Sequence, residues 1–224
     1  MRYGILARRQ AGAPRTGPEE DNVIPGEDSR PHGHDRPVAG FLLRHVSDFV
    51  GPRSAGDLRG RIPRGRALDV AMGEGRHALV LAAEGFRVRG IDRDAAAVAR
   101  VTRKAAARGL SLDARVADLE HEGRALIEPG AFTLVVNFHY LQRDLIPSLK
   151  AALAPGGWIL FETFTTEHPR VSRAGRPSNP DFLLRPGELR ACFADLSVVE
   201  YEEGVFPTGD GDREAVARLA AFRP

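Results

Sequence analysis

Glycines and aspartates at the ends of short apolar runs are the residues of this chain best placed to do chemistry. Asp69-Val70-Ala71-Met72-Gly73-Glu74-Gly75 follows one such run, and Arg76-His77-Ala78-Leu79 opens a helical pattern. Glycines at a strand-to-helix turn let a ligand approach the backbone. The first N–H groups of a helix lack partners within it and attract an anion, here a phosphate or an amino-acid carboxylate. Gly73, Gly75 and Ala78 also satisfy the dinucleotide pattern G-x-G-x-x-G/A. Asp92, ending a second apolar run, suits the ribose hydroxyls of any adenosyl cofactor, so a nicotinamide-dependent oxidoreductase is a competing reading.

Two further aspartates separate the readings. Asp69 precedes the glycines, where a carboxylate can take the ammonium of a methionine moiety and would repel a pyrophosphate. Asp118-Leu119 closes a third run, where the carboxylate can accept from an adenine amino group and the next backbone N–H can donate to the ring. Singly, each aspartate could be a cap or turn former. Jointly they mark the carboxyl ends of successive strands, where open α/β sheets bind ligands. This set favours S-adenosylmethionine over a dinucleotide, and no Tyr-x-x-x-Lys pair or comparable hydride site supports the oxidoreductase.

Methyl transfer needs mainly alignment and exclusion of water; a base is needed only when the acceptor must lose a proton. The candidates follow the fourth and fifth apolar runs. They are His139, Arg143 and Glu162, with Arg143 also able to hold an anionic acceptor and Tyr140 read as pocket wall. His168 falls in a long polar stretch that could act as a lid, and exposure to solvent is expected for it. Cys192, the single cysteine, reads as a small apolar residue. His32, His34 and Asp35 lie close together without a partner cluster, so no metal site is expected.

These residues need a scaffold, and the pattern supplies one. Apolar runs at 67–70, 86–91, 112–117, 132–138 and 158–161 read as strands, with helices expected at 76–84, 94–108 and 141–153. Strands alternating with helices imply parallel βαβ units. Phe41, Leu42, Val46, Phe49 and Val50 recur at helical spacing before them, stopped by Gly51-Pro52. Residues 165–185 read as a polar loop, a short helix follows Pro186, and 196–201 and 215–222 read as an antiparallel strand pair. Residues 1–36, broken by prolines and glycines, read as a disordered extension, leaving 37–224 as the folded domain. The net charge of +2, with no basic stripe interleaved with aromatics, argues against a nucleic-acid partner. No apolar run is long enough for a membrane span, and a cytoplasmic protein is expected.

On these motifs the chain resembles class I S-adenosylmethionine-dependent methyltransferases, and more narrowly the tellurite-resistance-type enzymes. The resemblance rests on Leu68 to His77, Gly90-Ile91-Asp92, Val116 to Leu119, Phe132 to Asn137, Leu141-Gln142-Arg143, Leu153 to Gly157, Phe182 to Leu189 and Glu200 to Gly204. It implies a Rossmann-like three-layer α/β sandwich with a seven-stranded, mostly parallel sheet and an antiparallel last strand. It implies that Asp69, Gly73 and Gly75 hold the methionine part, Asp92 the ribose, Asp118 and Leu119 the adenine, and that Asn137 lies beside the sulfonium. Ala71, Arg76 and Arg93 complete the expected cofactor set. The acceptor is expected to be a small molecule, and a non-catalytic S-adenosylmethionine-binding module is the remaining alternative.

Overall fold

The computed structural model describes residues 38–46 and 61–224. The expected N-terminal extension, with His32, His34 and Asp35, lies outside these residues, as do Phe49, Val50 and Gly51-Pro52. The described chain forms a seven-stranded sheet in the order β3-β2-β1-β4-β5-β7-β6. The strands are β1 Arg66–Val70, β2 Arg87–Asp92, β3 Leu112–Val116, β4 Phe132–Phe138, β5 Leu153–Phe164, β6 Ser197–Pro207 and β7 Arg213–Phe222. β1 pairs in parallel with β2 and β4, and β4 with β5, while β7 runs antiparallel to both β5 and β6. This is the mostly parallel sheet that the resemblance implies.

Central strands are buried on both faces. Leu68, Val70, Val135 and Phe161 pack into one layer of core, and Ala67, Leu134, Val136 and Leu160 into the other. Burying each large apolar side chain contributes roughly 1.5–3 kcal/mol, so the continuous apolar runs of β1 and β4 anchor the sheet. One layer is shared with helices α1 Gly40–Val46, α2 Arg76–Ala83 and α3 Ala95–Ala107, and the other with α4 Ile146–Ala152 and α6 Glu188–Cys192. Short helix α5, His168–Val171, lies between β5 and α6 in the chain.

Local chemistry sets the boundaries. Asp94 caps α3, accepting from the backbone N–H groups of Ala96 (2.8 Å) and Ala97 (3.0 Å). Gly75 starts α2 at a φ of 70°, and a Cβ there would lie 2.1 Å from Val101 Cγ2, so this turn requires glycine on both counts.

The structure corrects three expectations. The helix expected from residue 141 begins as a 3₁₀ turn at Arg143–Leu145, and α4 starts only at Ile146. Pro147 has no N–H and is tolerated in a first turn, which places the α-helical start beside it. The fifth strand is also longer than expected at both ends. Leu153 already pairs with Phe132, and pairing resumes at Trp158 after a register shift. Residues 165–185 are not one irregular loop: they hold α5, a 3₁₀ turn at Pro180–Phe182, and a bridge from Thr165 to Leu184.

Candidate active site

The carboxyl ends of β1, β2 and β4 and the start of α2 meet at the glycine turn. Asp69 is 1% exposed on β1, and its Oδ2 has no hydrogen-bond partner. Burial lifts its carboxyl to about 7, against the lowering effects of the Arg76 charge and the Ala78 backbone N–H. A buried carboxylate with a free oxygen is costly unless a ligand completes it, and an ammonium would do so. Asp92 is half-buried at the end of β2, where its carboxylate accepts from Gly73 N (2.7 Å) and Asp94 N (2.9 Å). It thereby holds the glycine loop. Ala71 (φ 50°) and Gly73 (φ 54°) adopt left-handed backbone on either side of Met72. Met72 is buried, with its Sδ where a Cβ on Gly90 would stand, so its side chain occupies the core.

Asp118 follows β3, half-buried. Its carboxylate accepts from Glu120 N (2.8 Å) and contacts His121 Nδ1 (3.1 Å), and these two interactions hold it below the usual carboxylate range. The side chain therefore forms a turn. Arg93 is exposed and close enough to act on Asp118 electrostatically, and Leu119 is buried. Asn137, 1% exposed at the end of β4, donates to the carbonyl of Tyr140 (2.7 Å). Tyr140 donates to Gln142 Oε1 (2.7 Å), and burial together with the Glu120 and Asp118 charges pushes its hydroxyl up to about 12. It stays a neutral wall.

A second group of side chains continues from the crevice along β4, β5 and β7. His139 adopts a φ of 59°, uncommon for a residue with a side chain. Its ring stacks on Phe164 at 4.7 Å and 7°. Arg76 Nη2 lies 3.2 Å from His139 Nδ1, and Arg76 Nε donates to His77 Nε2 at 3.2 Å. A guanidinium only donates, so both ring nitrogens are unprotonated acceptors. The proton of neutral His139 is thereby on Nε2, which faces Glu162 Oε1 at 3.4 Å and Glu214 Oε2 at 3.9 Å. His77 also accepts from Ala39 N (3.2 Å), tying the segment before α1 to α2. Burial, with the Arg76 charge, drives its pKa well below the ordinary histidine value.

Glu162 is 2% exposed and accepts from Arg218 Nε at 2.5 Å. Burial raises its pKa, but His139 and Arg218 outweigh that and hold it below its ordinary value. Glu214 and Arg218 (3.7 Å apart) extend the cluster along β7. The ligand atoms of His139, Glu162 and Glu214 lie within 4.8 Å of one another. Arg76 borders this group at His139, and Arg218 pairs with Glu162 and Glu214.

One candidate, Arg143, is engaged away from the glycine turn, and the expected exposure of His168 is corrected. The donors of Arg143 are engaged by Glu188 (2.6 and 3.0 Å) and by the carbonyls of Asp181 (2.7 Å) and Leu183 (2.9 Å). It ties the start of α4 to residues 181–188 instead of presenting a free anion site. His168, expected at the surface, is 3% exposed. Its Nδ1 accepts from Ala215 N (3.2 Å), its Nε2 lies 2.8 Å from the Arg176 carbonyl, and its ring meets Phe164 at 4.0 Å. Arg218 and Glu214 were missed by sequence reasoning. Their signal was available: charged residues at even spacing in an otherwise apolar strand share one face.

Comparison with known proteins agrees with this architecture. Residues 67–157 match the family model described as a methyltransferase domain. Hemagglutinin 1 of Eikenella corrodens is 33% identical over 147 residues, which is 62% of this chain and 46% of that protein. The chain thus spans about half the length of that curated relative. TehB from Haemophilus influenzae shares the fold at a TM-score of 0.59 and 20% identity, over 71% of this chain and 57% of that one. A geranyl diphosphate C-methyltransferase from Streptomyces coelicolor, solved with Mg2+, geranyl diphosphate and S-adenosyl-L-homocysteine, does so at 0.54 and 18%, over 74% and 77%. The matched segment, which holds the glycine turn, is similar to a methyltransferase domain, and the fold is shared with solved structures described as S-adenosylmethionine-dependent methyltransferases.

Proposed function

We propose that this chain transfers a methyl group from S-adenosylmethionine to a small-molecule acceptor at the carboxyl ends of β1, β2, β4 and β5. The observation that carries the reading is Asp69, whose buried carboxylate oxygen lacks a partner beside a glycine turn. An amino-acid ammonium satisfies that oxygen, whereas the pyrophosphate of a nicotinamide dinucleotide would meet a buried acid. Asp92 is positioned for the ribose, Asp118 with Leu119 and Arg93 for the adenine side, and Asn137 for the neighbourhood of the sulfonium. Ala71, Gly73 and Gly75 supply the backbone approach. The sulfonium brings an activated methyl and a neutral leaving group. The protein's part is to align an acceptor with it and exclude water, worth roughly 7–11 kcal/mol of barrier.

His139 and Glu162 are the groups we place nearest the acceptor. A histidine backed by a buried carboxylate accepts a proton from a hydroxyl, thiol or ammonium. Thermal unfolding with S-adenosylmethionine, S-adenosylhomocysteine and NAD tests the cofactor reading. A ligand at about 100 times its Kd adds roughly 2.7 kcal/mol, and stabilisation by NAD alone would overturn the proposal. A panel of thiols, phenols, amines and oxyanions offered with labelled S-adenosylmethionine identifies the acceptor class; binding without transfer to any of them would favour the non-catalytic module.

A further inference from the structure

Arg76 joins the two halves of the site. It is the first residue of α2, close enough to lower the pKa of Asp69, and its Nη2 occupies the Nδ1 lone pair of His139 at 3.2 Å. That lone pair is the one with which His139 could take a proton, because Nε2 already bears a hydrogen facing Glu162. While Arg76 stays there, the base is capped. The proposed cofactor changes the competition. Its ammonium and carboxylate share one carbon atom, so an ammonium seated on Asp69 brings a carboxylate to the cation beside Asp69. A guanidinium prefers a carboxylate, which it grips through two charge-assisted hydrogen bonds, over a neutral imidazole nitrogen.

We propose that Arg76 gates His139: the amino-acid end of the cofactor draws the guanidinium away and frees Nδ1 to deprotonate the acceptor. The inference rests on the proposed cofactor reading and deepens it, because it names the acceptor class as protic. An X–H bond breaks, its electron pair stays on X, and the proton passes to Nδ1. The resulting imidazolium faces Glu162 and Glu214 through its Nε2–H. Around the ring stand Arg76 and His77 of α2, Glu162 of β5, Glu214 of β7 with Arg218 paired to both carboxylates, and, across Phe164, His168 of α5. Coupling of this kind would keep the base idle until a methyl donor is present.

The test uses histidine nitrogen resonances of the 15N-labelled full chain, with the His139 signals identified by their loss in His139→Gln. S-adenosylhomocysteine carries the amino-acid group; 5′-methylthioadenosine is the same nucleoside thioether without it. With both at saturation, the first is expected to move the Nδ1 resonance of His139 toward the position of an unbonded pyridine-type nitrogen. The second should leave it unmoved. In Arg76→Gln the resonance should already stand at the released position and not respond to S-adenosylhomocysteine. Movement with both ligands, or with neither, overturns the gate even if Arg76→Gln fails to fold. Calorimetry on the same samples separates the two levels: no binding of S-adenosylhomocysteine would overturn the cofactor reading and this inference with it.

Discussion

The two halves of the crevice handle charge in opposite ways. Around the ends of β1, β2 and β3, carboxylates are held by backbone N–H groups: Asp92 by Gly73 and Asp94, Asp118 by Glu120. Asp69 keeps one buried oxygen without any partner. Around the ends of β4, β5 and β7, buried charges meet side chains of the opposite sign, as Glu162 does with Arg218. One half keeps a buried carboxylate oxygen without a partner, whereas the other pairs most of its charges internally. Substitutions should separate along the same line, with ligand affinity falling in the first half and fold stability in the second.

Asp92→Ala should give the largest effect. It removes both the expected ribose acceptor and the anchor of Gly73. Hydrogen bonds to a charged group contribute about 1.5–3 kcal/mol each, so the affinity for S-adenosylhomocysteine should fall by about 100-fold or more in calorimetry. Unchanged affinity would remove Asp92 from the site.

Asp69 makes the same half sensitive to pH. Its carboxyl titrates at about 7 in the free protein, and a bound ammonium would favour the ionised form. The complex then binds fewer protons than the free protein. Affinity should be level above pH 7 and fall about tenfold per pH unit below it. The folded pKa is raised above the unfolded one, so this residue's contribution to stability is present at low pH and lost as pH rises through 7. Asp69→Asn should therefore flatten the pH dependence of binding while raising the melting temperature of the free protein at neutral pH. A wild-type affinity that stays level down to pH 5 would place the ammonium elsewhere.

How much of this was legible in the sequence depends on whether the cause is local. β4 has the bounds that its apolar run gives, and α3 lies within one residue of the expected 94–108 at each end. The glycine turn was readable because its left-handed positions favour glycine, although Asp92 and Val101, distant in the chain, help to fix it. β5 was read too short because Pro155-Gly156-Gly157 signals a turn. A Cβ at Gly157 would lie 2.7 Å from the Phe132 carbonyl, and it is this close approach to β4 that returns the chain to the sheet. Arg143 and His168 were misplaced because their partners lie 38–47 residues away, at 181–188 and 215. No local pattern reveals that a polar stretch will fold back over Phe164.

His168→Ala sharpens the contrast on the self-satisfied side. It removes the acceptor of Ala215 N–H and the contact with the Arg176 carbonyl, and opens a space beside Phe164. Such losses cost about 2 kcal/mol, equivalent to a fall in melting temperature of roughly 4–8 °C for a chain of this size. Affinity for S-adenosylhomocysteine should stay within about threefold of wild type, a difference of roughly 0.7 kcal/mol. A large loss of affinity with little loss of stability would mean that the segment around α5 contacts the cofactor.

Arg143→Ala should have the smallest effect. Its guanidinium bonds Glu188 and two carbonyls near the surface, and a partly exposed tie of this kind contributes about 1 kcal/mol after solvent screening. Cofactor affinity should not change, because none of these partners belongs to the crevice. The comparison breaks if Arg143 is an anion site after all. In that case inorganic phosphate or selenate would raise the melting temperature of the wild type and lose that effect in Arg143→Ala. Equal responses of the two proteins would leave Arg143 as the clamp between α4 and the segment leading into α6.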